Sequence, residues 1–185
     1  MRITVNKDVA KKEFQPFKDD PVFAESAALV SQGRDPVQML QALSMVPGGL
    51  RTLAAASQAV YPGGTLDQTT KELVIIKASQ SNNCQFCLNS HVDICRNAGI
   101  SDDPINMLLD SESQTPAQRA ALQFVAAAMQ DSNAIADNIF DELRTHFTEA
   151  QIAELALLLG YINMLNMFNN CLQVRYQSDY KPASD

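Results

Sequence analysis

The stretch that decides the fold reads Lys71-Glu72-Leu73-Val74-Ile75-Ile76-Lys77-Ala78-Ser79-Gln80-Ser81-Asn82-Asn83-Cys84-Gln85-Phe86-Cys87-Leu88-Asn89-Ser90-His91. Leu66, Leu73 and Ile76, together with Val74 and Ile75, have the pattern of a well-buried helix and predict one from Leu66 to about Ser81. Ser81-Asn82-Asn83 breaks it. A second helix is expected to start near Cys84. Its apolar or small positions Cys87, Val92, Ile94, Cys95 and Ala98 lead to Gly99, which sits where a helix C-terminal glycine belongs.

The same reading extends in both directions. Residues 1–20 are mixed and charged without a clear period, and a partly extended arm is expected there. Helices follow at about 22–32, from Asp35-Pro36 to about Val46 with Asp35 as N-cap, and at 50–60, with Pro47-Gly48-Gly49 and Tyr61-Pro62-Gly63-Gly64 as breaks. Beyond Gly99, Ser101-Asp102-Asp103-Pro104 caps a short helix and Thr115-Pro116-Ala117-Gln118 is a capping box opening a helix to about Gln130. A helix at 134–146 comes next. The capping box Thr148-Glu149-Ala150-Gln151 then opens a long stretch to about Tyr176. No segment alternates with period two between turn signals, so the class is all-α. Lys71-Glu72-Leu73 also aligns with Ala153-Glu154-Leu155, as a duplicated helical hairpin would, although helices with one glutamate and an apolar stripe look alike in any case.

Composition narrows the functional classes. The 185 residues suit one domain, residues 1–185, with an arm over 1–20 and a motif-bearing core over 47–100. A net charge of -7 without a run of basic residues argues against nucleic acid as a partner. The apolar run from Ile152 to Leu172 contains Glu154, Asn163, Asn166, Asn169 and Asn170, which argues for a buried helix rather than a membrane span. The amino terminus has no continuous apolar run before a small-residue cleavage site, so a cytoplasmic location is expected. Four cysteines in such a chain suggest reduced thiols, metal ligands or a reacting pair.

Cys84, Cys87, His91 and Glu72 together have what thiol chemistry requires. A thiol must ionise to attack, and a helix start favours the anion. Cysteines three apart in a first helical turn share a face and can bridge, which makes oxidation through a sulfenic acid reversible. His91 lies one turn beyond Cys87 on that face, where an imidazole can take or relay the proton. Glu72, on the preceding helix, can hold the histidine tautomer if the hairpin folds back.

This constellation resembles the alkylhydroperoxidase D family, the thiol-bearing branch of the carboxymuconolactone decarboxylase superfamily, whose motif Glu72, Cys84, Cys87 and His91 all match. The likeness extends from Pro47-Gly48-Gly49 to Ala98-Gly99 and includes the asparagine-rich helix Tyr161 to Asn170. It implies an alkylhydroperoxidase D-like fold, a multi-helix orthogonal bundle around the helical hairpin bearing C-x-x-C, assembled as homo-trimers or hexamers. It also implies peroxide reduction with electrons from a dithiol, lipoyl-type or thioredoxin-like, without cofactor or metal. By position Cys87 attacks the hydroperoxide, while Cys84, nearer the helix tip and more exposed, closes the disulfide. Glu72 and His91 move the proton. The departure is Phe86, which stands where alkylhydroperoxidase D itself has a second histidine.

Other readings stand beside this one. A lactone decarboxylase would use the same fold without thiols. Cys84, Cys87, His91 and Cys95 read as a zinc set would lie on one helix and its cap, a poor tetrahedron, and would make the chain a redox-sensing or zinc-bound scaffold. Cys95 and Cys171 are most simply packing residues. His146, at a charged helix end, reads as a C-terminal cap. Met164, Met167 and Phe168, at helical spacing, read as core or interface.

Overall fold

The Asp67 side chain accepts the backbone N–H of Thr70 at 2.9 Å and opens helix α5, Gln68–Ser81. Thr70 through Ile76 are all buried, as are Ala78 and Ser79, so the helix is covered round its whole circumference. A helix in that condition is the centre of its unit. The computed structural model describes residues 1–176, which form ten α-helices with short 3-10 turns and, among the described residues, no strand. They fall into two units, residues 1–63 with the chain from Asn169 onward, and residues 64–168.

In the unit built on α5, that helix packs against α6 (Gln85–Asn97), α7 (Pro104–Leu109) and α8 (Pro116–Gln130), and α8 packs against α9 (Asp137–His146). Leu73, Ile76, Cys95, Leu108 and Leu122 close one apolar cluster. Phe124 meets Phe140 edge to face, with centroids 5.8 Å apart. The capping box at Thr115 forms in both directions, and the Thr148 hydroxyl accepts from the Gln151 N–H at 3.2 Å ahead of α10 (Glu149–Leu172). Each of these starts lies within about three residues of its expected place.

α10 departs from the sequence reading. Among the described residues it is the one helix long and apolar enough, by length and composition, to cross a membrane, and 39% of that stretch is buried within the chain. Ile152, Leu155, Leu158, Leu159, Ile162 and Leu165 are covered. The opposite side, with Leu157, Met164 and Met167, is open. A buried helix is what the sequence predicts; this one is buried on one face and open on the other.

The other unit holds α1 (Lys7–Phe14), α2 (Ala24–Ser31), α3 (Gln38–Leu43), α4 (Gly49–Val60) and the last turn of α10. Two expectations fail here. The amino-terminal segment is helical rather than extended, because the Asn6 side chain accepts the N–H groups of Asp8 and Val9, and Ala10 and Phe14, four apart, are buried. Phe14 and Phe17 each meet Phe23 edge to face. Asp35 is not the cap of α3 either: its carboxylate takes Lys7 at 2.7 Å, and α3 begins after Val37 without a side-chain cap. Gly48, at φ +79°, makes the left-handed step between α3 and α4.

Candidate active site

The α5–α6 hairpin turns through a tightly specified connection. Asn83 adopts φ +51°, its N–H donates to the Gln80 carbonyl at 3.0 Å, and the Cys84 N–H donates to the Ser79 carbonyl at 2.9 Å. This is the double-bonded left-handed ending of a helix, with asparagine in the place glycine usually takes. Cys84 is at once the last residue of that ending and the N-cap of α6, its Sγ accepting the Cys87 N–H at 3.4 Å. The backbone of the first cysteine is therefore fixed from both sides.

Side-chain amides hold the same turn against α10. Asn82 donates from Nδ2 to Asn163 Oδ1 at 2.5 Å and to Asn166 Oδ1 at 2.9 Å, and Asn166 Nδ2 donates to Ser79 Oγ at 3.1 Å. Below it, Lys71 Nζ lies 3.3 Å from Glu154 Oε1, with the lysine buried and the glutamate largely covered. Glu154 also accepts the Thr65 N–H and hydroxyl at 2.7 and 2.8 Å and the Leu66 N–H at 3.1 Å. Burial pushes the Glu154 carboxyl up, but these bonds and Lys71 outweigh it and hold the pKa below the ordinary value.

Glu72 and His91 meet. Glu72 is fully buried on α5, and its Oε2 lies 2.7 Å from His91 Nδ1 on α6. The other carboxylate oxygen accepts from Gln68 Nε2 one turn earlier. Since a carboxylate only accepts, this contact puts the imidazole proton on Nδ1 and leaves Nε2 as the basic nitrogen. The four residues singled out in the sequence thus lie on one hairpin, in two contacts, Cys84 with Cys87 and Glu72 with His91. Gln68 was missed, although its i, i+4 spacing to Glu72 is a signal for such a bond. The asparagine clamp was missed too, for the pairing of Asn82 with Asn163 and Asn166 spans about half the chain and has no local signature.

The cysteines differ from one expectation. Cys84 is 1% exposed and Cys87 3%, so Cys84 is not the more exposed of the two. Its thiol is turned inward by its capping bond and by the left-handed step at Asn83. All four cysteines are in the thiol form. Cys95, further along α6, is pushed up to about 12 by burial and by the charge of Glu72. Phe86 is buried between the pair. Among the described residues no group of three His, Cys, Asp or Glu side chains is gathered so as to hold a metal ion.

The all-helical fold is similar to that of solved alkylhydroperoxidase D-like structures. The model of the carboxymuconolactone decarboxylase family matches residues 47–131, a little under half of the chain. An uncharacterized protein, YdfG of Bacillus subtilis, is 29% identical over 106 residues, 55% of this chain and 72% of its own length. The crystal structure of ATU0492 from Agrobacterium tumefaciens, described as a putative antioxidant defence protein AhpD, superposes with a TM-score of 0.66 at 27% identity, over 73% of this chain and 94% of that one. A cysteine-to-alanine form of the debrominase Bmp8, in complex with 2,3,4-tribromopyrrole, shares the fold with a TM-score of 0.75 at 17% identity, over 96% and 92% of the two chains.

Proposed function

We propose that this protein is a thiol-dependent peroxidase that reduces hydroperoxides through a dithiol–disulfide cycle at Cys84 and Cys87. The observation that carries the reading is the 2.7 Å contact between buried Glu72 and His91, one helical turn beyond Cys87. In this reading the His91 Nε2 accepts the Cys87 proton, directly or through one water. The imidazolium so formed is stabilised by Glu72 and in turn stabilises the thiolate, with the N-terminus of α6 adding its partial positive charge.

The thiolate attacks the distal oxygen of ROOH, the O–O bond breaks, and the alkoxide takes the proton from His91 and leaves as ROH, giving Cys87 sulfenic acid. Cys84 then attacks that sulfur, hydroxide leaves and is protonated to water, and the S–S bond forms. A dithiol reductant, lipoyl-type or thioredoxin-like, returns two electrons and two protons by exchange. Because both sulfurs are covered, the reductant needs a local opening of the Asn82–Cys84 turn, which the asparagine clamp holds shut. The reading places the protein in the cytoplasm, as a homo-oligomer.

The test is peroxide consumption with a small dithiol as electron source, by wild-type protein and by Cys87→Ser. The reading expects turnover in the first and none in the second, and mass spectrometry of the peptide spanning Ser81 to Arg96 should find the Cys84–Cys87 bridge after one equivalent of peroxide. Undiminished turnover in Cys87→Ser overturns the choice of nucleophile. Activity on a carboxylated lactone that survives alkylation of every thiol overturns the peroxidase reading as a whole.

A further inference from the structure

A groove of about 250 Å³ runs where α5, α7 and α8 meet. Leu108, Leu109, Leu122 and Ala126 form its apolar walls, and its charged residues are Lys77 and Arg119. No carboxylate lines it. In a chain of net charge -7, a cleft whose charges are both positive runs against the general balance. Leu109, at its rim, is 74% exposed. Apolar walls with a few convergent polar groups are the usual composition of a small-molecule site.

Neither cation is neutralised by the protein around it. Both are half-buried, and among the described residues neither pairs with a carboxylate. Asp110, next to Leu109 in the chain, is engaged by its own turn, accepting the Glu112 N–H at 3.0 Å and the Ser113 hydroxyl at 2.5 Å. Glu142 lines a neighbouring cavity that Arg119 also borders, but its contact is with His146 at 3.2 Å. Arg119 is fixed without being used up. Its Nη1 donates to the carbonyls of Ser111 at 3.0 Å and Gln114 at 2.5 Å, which leaves the Nε and Nη2 hydrogens to bind an anion. The buried Gln114 side chain donates to the carbonyls of Met107 and Leu108 at 2.8 and 2.9 Å and so fixes the end of α7 that carries the leucine wall. A groove held in shape beforehand asks little further ordering of its ligand site.

Size and charge select the occupant. The volume falls just short of pockets for drug-sized ligands, which start at about 300 Å³, so the ligand is small. A carboxylate is planar and only accepts, which suits a guanidinium edge and an ammonium, and an apolar tail frees the leucines from water. We infer that this groove binds a medium-chain monocarboxylate, with its head on Lys77 and Arg119 and its tail along Leu108, Leu109 and Leu122. Leu108 and Leu122 belong to the core cluster of Leu73, Ile76 and Cys95, so the site is built on the packing of the α5–α6 hairpin. None of the groove residues takes part in the thiol cycle, and the inference is independent of it.

The experiment is calorimetric titration of the full-length chain with sodium octanoate, and with octan-1-ol as an uncharged probe of equal length. Wild type is compared with Lys77→Gln and with Leu109→Glu, which brings a carboxylate to the rim. Saturable uptake of one octanoate per chain is expected, with octan-1-ol and the Lys77→Gln variant each about ten-fold weaker. Leu109→Glu should take up none. Both variants should keep the wild-type far-UV circular dichroism, because neither changed side chain is buried. Absence of saturable uptake by wild type, as when a second copy of the chain already fills the groove, overturns the inference. Equal affinity for octan-1-ol overturns it as well, since the cations would then select nothing. So does wild-type affinity for octanoate in either variant, which would put the acid elsewhere on the molecule.

Discussion

Cys84 Sγ accepts the backbone N–H of Cys87 at 3.4 Å, so one member of the pair caps the helix that carries the other. Serine is a better cap than cysteine, and Cys84→Ser should therefore fold within about 1 kcal/mol of wild type or slightly above it. The same variant should stop at Cys87 sulfenic acid, visible as a single added oxygen by intact mass, and should fail to turn over with a dithiol. Urea unfolding alongside the mass measurement separates the capping role from the chemical one.

Glu72→Gln keeps the shape of the buried contact but removes the charge that holds an imidazolium. Peroxide turnover is expected to fall on the order of 100-fold, the usual size of a proton-transfer contribution. Alkylation of Cys87 by iodoacetamide at neutral pH should slow alongside it. Equal rates in the two proteins would mean that His91 acts without Glu72.

Glu154 supplies a pH dependence of stability. Its folded pKa lies below the ordinary 4.5, so its contribution is fully present above that value and is lost as the pH falls through 4.5 towards the folded pKa. At neutral pH, Glu154→Gln leaves Lys71 buried without its counter-charge and should cost about 3–5 kcal/mol. Denaturant unfolding of both proteins at pH 7 and pH 4 checks this. The gap between them is expected to narrow at the lower pH.

The asparagine clamp ties the cysteine turn to the long helix. Asn166→Ala removes the bonds to Asn82 and Ser79 and should destabilise by about 1–3 kcal/mol. Because the turn is loosened as well, amide exchange at Asn83 and Cys84 should speed up more than exchange elsewhere in α5. Uniform acceleration would show that the network holds the fold and not the turn.

Legibility in the sequence followed the range of the interaction. Capping boxes at Thr115 and Thr148, the stop at Asn82-Asn83 and the Gly99 ending are local, and each is found where the residues call for it. Cys84, Cys87 and His91 could be picked out because their spacing follows helical geometry, whereas Glu72, on the preceding helix, is reached through the expected hairpin and the family resemblance. Asp35 misled for a physical reason: an N-cap donor three residues on competes with a lysine ammonium far along the chain, and Lys7 wins. α1 escaped notice because its buried face is only Ala10 and Phe14, too few positions to show a period. The exposure of Cys84 depended on which way its thiol turns, which the left-handed step at Asn83 decides.

Cys95 completes the row Cys87, His91, Cys95 on α6, yet burial and the charge of Glu72 push its thiol well above the ordinary value and disfavour the anion at neutral pH. Shuffling requires an anionic sulfur, so this bystander neither poaches the bridge from its neighbours nor soaks up stray electrophiles. Under the proposed cycle the hairpin would hold two electrons per chain, and in a Cys171→Ser background a count of rapidly modified sulfurs should read out the state of the Cys84–Cys87 pair without interference from Cys95.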